Sequence, residues 1–99
     1  MRLSKDQISA IRHIVADTAG ASAQVRLFGY RLRDDATGGD LDLLVELPAA
    51  VEHPAALSAR LATRISRTLY GRRVDVLVLA PNLRRLPIHD IALREGQSL

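Results

Sequence analysis

Three aspartates lie in apolar segments, where an unpaired carboxylate is unfavourable unless it binds a cation, pairs with an arginine or faces solvent. Asp40 and Asp42 open the run Asp-Leu-Asp-Leu-Leu-Val-Glu-Leu at 40–47, and Asp75 lies within Arg-Val-Asp-Val-Leu-Val-Leu at 73–79. Side chains two positions apart on a strand emerge on the same face. If the second segment forms a strand beside the first, Asp75 reaches the pair. Three converging carboxylates are the hard oxygen ligands that suit Mg²⁺ or Mn²⁺.

A glycine turn that carries arginines precedes these carboxylates. Gly29 follows the apolar segment that ends at Phe28, and Arg31 and Arg33 come next. Backbone amides exposed at such a turn hold phosphate oxygens, and guanidinium groups neutralise their charge. Metal-binding carboxylates beside a phosphate-binding turn are the parts that phosphoryl or nucleotidyl transfer requires.

Each of these residues also has a simpler explanation. Acidic residues are common at solvated turns such as Gly-Gly-Asp at 38–40. Asp75 has possible ion-pair partners in Arg72 and Arg73, and arginines in a turn are often solvated without binding a ligand. The combination of the three carboxylates with the Gly29 turn is what favours a nucleotide site.

Hydrophobic periodicity predicts the element order α-β-β-α-β-α. Ser4 and Gln7 form a capping-box pattern that begins the first helix, and Gly20 ends it. The later elements are predicted as strands at 25–28 and 40–47, a helix at 54–69, a strand at 73–79 and a helix at 88–94. The expected fold class is α/β (α+β), with a small mixed β-sheet and helices packed on one face. The opposite face, which carries the carboxylates, is expected to stay open.

Length and composition predict one domain spanning residues 1–99. Hydrophobic residues make up 47% of the 99 residues and charged residues 25%, which is typical of folded globular chains. There is no cysteine, which excludes disulfides and thiolate zinc sites. The sequence contains neither a signal-peptide core nor an apolar run of the roughly 18–20 residues that span a membrane. We therefore expect a cytoplasmic protein without a membrane partner.

The basic residues do not predict a nucleic-acid binder. Lys5 is the single lysine among 14 basic residues, the net charge is only +3, and the chain has one Phe, two Tyr and no Trp. Single-stranded nucleic acids are usually held by stacking on several aromatic side chains. An RNA- or DNA-binding module driven by arginines remains an alternative, which a steep loss of affinity with salt would identify.

The segments Leu27-Phe28-Gly29-Tyr30-Arg31 and Gly39-Asp40-Leu41-Asp42-Leu43-Leu44-Val45-Glu46 resemble the signature of polymerase-β-like nucleotidyltransferases. More narrowly, they resemble the bacterial minimal nucleotidyltransferases, which are single domains of about this size. That pattern is Gly-Ser, an arginine-containing turn, Asp-x-Asp on a strand and a third Asp on a later strand. Asp40, Asp42 and Asp75 fall at its three carboxylate positions, and the resemblance covers most of the chain.

The resemblance implies catalysis and metal binding by Asp40, Asp42 and Asp75, with Mg²⁺ (or Mn²⁺) as cofactor. It implies nucleotide binding by Gly29, Tyr30, Arg31 and Arg33. The implied reaction moves AMP from ATP to a hydroxyl group of a partner protein. That partner is implied to be a helical HEPN-type toxin, with this chain as its antitoxin; a homo-oligomer is a further possibility.

Tyr30 departs from the resembled pattern, because it stands where the pattern has Ser. A tyrosine moves the hydroxyl outward and adds a ring where phosphate binds. The alternative function is therefore a nucleotidyltransferase fold that has lost catalysis and neutralises a helical partner by binding alone. Retained binding of Mg·ATP without transfer distinguishes this alternative from an active enzyme.

Overall fold

A computed structural model describes residues 3–29 and 41–99 of the chain. Within these ranges the protein is a small mixed α/β structure with three helices and a four-stranded sheet. The elements are α1 (Lys5–Ala19), β1 (Gln24–Phe28), β2 (Leu41–Glu46), α2 (Pro54–Thr68), β3 (Val74–Leu79), α3 (Pro87–Glu95) and β4 (Gln97–Ser98). The predicted order α-β-β-α-β-α is confirmed, and the two-residue β4 is added after it.

The sheet is mixed, with strand order β3-β2-β1-β4. β1 runs antiparallel to β2 and places Phe28 opposite Asp42, whereas β3 runs parallel to β2 and places Asp75 opposite Asp42. The end of β1 and the starts of β2 and β3 therefore meet at one end of the sheet. We call this end of the sheet, where Phe28, Asp42 and Asp75 lie, the carboxylate end.

Helices α1 and α2 pack against each other and against one face of the sheet. The capping box that begins α1 is confirmed, since Gln7 N–H donates to Ser4 Oγ at 3.1 Å and Ser4 N–H donates to Gln7 Oε1 at 2.8 Å. The main core includes Ile11, Ile14, Val15, Val25, Leu27, Leu41, Leu43, Val45, Leu61 and Ile65. Because strand side chains alternate between faces, Asp42 and Asp75 point away from this core.

The prediction that the helices pack on one face only is wrong, because α3 covers part of the opposite face. Ala92 of α3 is fully buried against Phe28, Leu44 and Leu79, with Leu77 and Leu93 beside them. These apolar strand residues share the face of Asp42 and Asp75, so leaving that face open would expose them to water. The face carries a second small core, and Asp75 lies in the part that remains exposed.

The free edge of β3 is bonded by a side chain from each face of the sheet. Leu41 N–H donates to the carbonyl of Arg73 and Leu47 N–H to that of Leu79, so the carbonyls of Val76 and Val78 point to the outer edge. Ser58 Oγ of α2 donates to Val76 O at 2.6 Å, and His89 Nε2 of α3 lies 3.1 Å from Val78 O. Covering edge carbonyls in this way reduces pairing with foreign strands.

His89 has a structural role in this arrangement. The ring is 4% exposed, and its Nδ1 accepts from Leu86 N–H at 2.9 Å at the start of α3. The neutral ring therefore carries its proton on Nε2, which donates to the carbonyl of Val78. Each ring nitrogen thus satisfies one backbone group.

We expect His89→Phe to lower the free energy of unfolding by about 2–4 kcal/mol, because two backbone groups lose their partners in a buried place. Urea denaturation measures the change. His53→Phe is the matched control, since the His53 side chain is 77% exposed and makes no capping bond. Equal stabilities of the two variants would contradict this role of His89.

Arg64 joins the two helices of the main core. Its Nη1 donates to Asp17 Oδ2 at 2.7 Å and to Thr18 Oγ1 at 2.6 Å. The hydrogen bond from Arg64, followed by its charge, lowers the pKa of Asp17 below the ordinary value of 3.8. Arg60 and Arg67, by contrast, lie on the exposed side of α2.

The lowered pKa of Asp17 predicts a loss of stability in acid. A carboxyl whose pKa is lower in the folded chain stabilises the fold above its unfolded pKa, and this contribution is lost as the pH falls through its folded pKa. We expect the wild type to be more stable than Asp17→Asn above about pH 5 and equally stable once Asp17 is protonated. In an Arg64→Gln background, Asp17→Asn is expected to produce no such pH-dependent difference. Denaturation curves across the acid range decide it, and a difference that persists unchanged in that background would refute the prediction.

Candidate functional site

The structure places Asp42 and Asp75 side by side at the carboxylate end. They are direct partners in the parallel register of β2 and β3, so their Cα atoms lie about 5 Å apart. Both point to the face opposite α1 and α2. Asp42 is half-buried, and the Asp75 side chain is 55% exposed. The sequence predicted that Asp75 would reach the first carboxylate segment only if the two strands were neighbours. The strands β2 and β3 are neighbours, so this condition is met.

Gly29 lies directly against Asp42. It follows β1 with φ +75°, a left-handed conformation that glycine adopts without strain. A Cβ atom added at Gly29 would collide with the Asp42 carboxylate, mainly with its Oδ2. A residue without a side chain is therefore required at this position for Asp42 to keep its orientation.

The ion-pair explanation for Asp75 is present in the structure but is weak. Arg73 Nε lies 4.0 Å from Asp75 Oδ1, and the side chains of Arg73 and Asp75 are 76% and 55% exposed. Ion pairs between such exposed groups typically contribute between 0 and about 1 kcal/mol. The pair does not account for two carboxylates at directly opposed positions, where like charges repel.

The remaining predicted site residues, Tyr30, Arg31, Arg33 and Asp40, lie outside the described residues. Residues 3–29 and 41–99 contain no group of three His, Cys, Asp or Glu side chains arranged to hold a metal ion. What they do contain is two of the three predicted ligands, Asp42 and Asp75, next to each other. Their carboxylate oxygens fit the donor chemistry of Mg²⁺.

Glu46 and His89 lie away from the carboxylate end. Glu46 shares the face of Asp42, but four residues along the strand place it about 13 Å away, where it pairs in register with Leu79. His89 is held by the Leu86 and Val78 backbone groups. It has no link to the adjacent Asp90, which instead binds Arg85 Nε at 2.6 Å. Neither Glu46 nor His89 belongs to the candidate site.

A groove of about 420 Å³ opens at the opposite end of the sheet. It is lined by small and apolar residues from the α1–β1 and β2–α2 connections, among them Ala19, Gly20, Ala23, Leu47, Pro48 and Ala50. No charged side chain of the described residues lines it.

Tyr70 is a notable residue that the sequence reasoning missed. Helix α2 ends at Thr68, and Gly71 N–H donates to Ser66 O at 2.8 Å across the turn that follows. Tyr70 has a left-handed conformation in that turn, with φ +59°, at a position where glycine is usual, and it is 97% exposed. The next residue, Gly71, also has positive φ, at +80°. A bulky residue with positive φ is a genuine conformational outlier. The turn leads directly into β3 at the carboxylate end.

We expect Tyr70→Gly to raise the free energy of unfolding by about 1 kcal/mol, because glycine adopts positive φ without the steric penalty. Tyr70→Ala is the control that also removes the ring but keeps a Cβ, and it should give no such gain. Denaturation of the two variants side by side measures the difference. A gain shared equally by both would show that strain at φ +59° is not its cause.

No known family model, curated protein or solved structure matches the chain. Across residues 3–29 and 41–99, none of the helices has the length and apolar character needed to cross a membrane.

Proposed function

We propose that this protein is a Mg²⁺-dependent nucleotidyltransferase that moves AMP from ATP to a hydroxyl group of a partner protein. The observation that carries the proposal is the pairing of Asp42 with Asp75 on one exposed face, with Gly29 packed against Asp42. If the carboxylates were only solvated residues at the start of a strand, no close packing of Gly29 against Asp42 would be needed. The observed packing therefore favours a nucleotide site.

In the proposed site each residue has a distinct role. Asp42 and Asp75, together with Asp40, hold the cation, which when bound neutralises the charge of the triphosphate. The Gly29-Tyr30 turn and Arg31, with Arg33, hold the phosphates. Asp75, the more exposed of the two described carboxylates, accepts the proton of the incoming hydroxyl.

The reaction breaks a phosphoanhydride bond of ATP and forms a phosphoester bond to the acceptor. The acceptor oxygen forms a bond to the α-phosphorus, the bond from that phosphorus to the bridging oxygen breaks, and pyrophosphate leaves. The half-buried position of Asp42 fixes one carboxylate, while the exposed Asp75 leaves room for the acceptor.

The proposed acceptor is a helical protein of the HEPN type, with this chain as its antitoxin, as the resemblance of the motifs implies. An apolar surface on α3 supports a protein partner. Ile88 and Ile91 are 42% and 38% exposed, and because they are three residues apart on α3 they lie on the same side of the helix. Exposed apolar groups of this kind are suited to contact with another protein.

The experiment uses the purified protein, MgCl₂, ATP labelled at the α-phosphate and a lysate of its own host. The double variant Asp42→Asn/Asp75→Asn and the control Glu46→Gln run alongside. A labelled protein band is expected with the wild type and the control and not with the double variant.

Two other outcomes would contradict the proposal. A band that persists in the double variant would exclude these carboxylates from the reaction. No band with the wild type, while calorimetry detects Mg·ATP binding, would show a fold that acts on its partner by binding alone.

A further inference from the structure

Tyr70 is exposed to solvent and has a strained backbone conformation. Its side chain is 97% exposed, whereas Phe28 is buried in the second core. The residue contributes no buried area to the fold, yet it occupies a strained left-handed position that Gly would fill more easily. Strain that persists without a packing benefit is a mark of a functional residue.

The hydroxyl group is the part of Tyr70 that fits the proposed chemistry. Several aliphatic hydroxyls of the described residues are engaged within the fold: Ser4 caps α1, Thr18 accepts from Arg64, and Ser58 donates to Val76. The phenol of Tyr70 stands clear of the surface on a rigid ring. A phenol also loses its proton more readily than an aliphatic alcohol, which favours it as a nucleophile.

The position and charge of the turn indicate which site Tyr70 would enter. Arg67 lies in the last turn of α2, just before Tyr70, and is exposed, so the turn carries positive charge that would favour approach to a bound triphosphate. Helix α2, from which the turn emerges, packs on the face opposite Asp75. This arrangement favours the site of a second copy over the site of the same copy.

We propose that Tyr70 is a modification site, at which one copy of this protein transfers AMP to the hydroxyl of another copy; this rests on the proposed function. The phenolic oxygen of Tyr70 forms a bond to the α-phosphorus of ATP, and the bond to the bridging oxygen breaks. Pyrophosphate leaves, and the phenolic proton passes to Asp75 of the copy that holds the nucleotide. The product is a phosphodiester between Tyr70 and AMP.

The experiment separates the enzyme from the acceptor. Tyr70→Phe serves as the enzyme copy, and Asp42→Asn/Asp75→Asn, lengthened by an affinity tag, serves as the acceptor copy. They are mixed with MgCl₂ and ATP labelled at the α-phosphate, and the two copies are resolved on a gel. Label is expected on the tagged acceptor only when the enzyme copy is present, and peptide mass mapping is expected to place it on residue 70.

The control acceptor Asp42→Asn/Asp75→Asn/Tyr70→Phe is expected to lose the label to background. Label at another residue of the acceptor, or label unchanged in the control acceptor, would overturn the assignment of Tyr70. Transfer to a lysate protein without transfer to the tagged acceptor would overturn it as well and leave the proposed function standing. Transfer to no protein in either reaction would overturn both.

Discussion

The substitution Asp75→Asn is expected to lower the rate of nucleotidyl transfer by about 10³-fold, because the loss of one group that stabilises transition-state charge has effects of this size. Asp75→Asn keeps the size of the side chain and removes its charge and its basicity. The fold is expected to survive, because Asp75 is exposed and its contact with Arg73 is long. Initial rates with labelled ATP measure the effect, and a denaturation curve confirms folding.

Two further variants separate the proposed metal-binding role of Asp75 from its ion pair. Glu46→Gln removes a carboxylate from the same face at the far end of β2, and it is expected to leave the rate within a few-fold of the wild type. Arg73→Gln removes the ion pair and keeps Asp75. If Asp75 matters only as the partner of Arg73, then Arg73→Gln will be as harmful as Asp75→Asn, and the metal-binding role is wrong.

Gly29→Ala is expected to reduce the transfer rate by about 10²-fold, because displacement of a catalytic group by about 1 Å has effects of this size. The added methyl group meets the Asp42 carboxylate and forces it to move. Positive φ at a residue with a Cβ is also expected to lower the free energy of unfolding by about 1–2 kcal/mol. The two effects are measured separately, the first by initial rates and the second by denaturation.

Gly20→Ala is the matched control for Gly29→Ala. Gly20 also has positive φ, at +110°, but a Cβ atom there would meet nothing within 4 Å. Its alanine variant should therefore lose stability from backbone strain and keep its transfer rate. An equal loss of rate in both variants would show that reduced stability, and not movement of Asp42, explains the effect of Gly29→Ala.

The elements that could be predicted from the sequence are those with local signals. The Ser4 and Gln7 pair sets the start of α1, and the apolar spacing of the second helix sets which side of α2 is buried. The placement of α3 could not be predicted in this way. It depends on the apolar strand side chains Leu44 and Leu79, whose exposure becomes apparent only once the sheet is assembled. The short β4 likewise depends on its pairing with β1.

The residues of the candidate site could be predicted from the sequence, but the way in which they contact one another could not. The pattern around Asp42 and Asp75 predicts carboxylates on a common face, but their direct pairing depends on β2 and β3 being neighbours. The contact between Gly29 and Asp42 is a close approach across strands, which no spacing along the chain reveals. Tyr70 was missed because no spacing in the sequence marks a residue other than glycine for positive φ. It stands next to Gly71, which also has positive φ, at +80°.

The bonds along the free edge of β3 have a consequence for the alignment of the strands. A slip of one residue between paired strands turns every side chain to the other face, and such a slip of β3 would carry Asp75 into the α1–α2 side. Ser58 and His89 bind carbonyls two residues apart on β3, one from each face, so the slip would break both bonds. The register that keeps Asp75 beside Asp42 is thus held by two side chains that belong to other layers of the protein. The chemistry proposed for the carboxylate end would therefore be sensitive to Ser58 on the opposite face and to His89 on the same face, because both hold the register of β3.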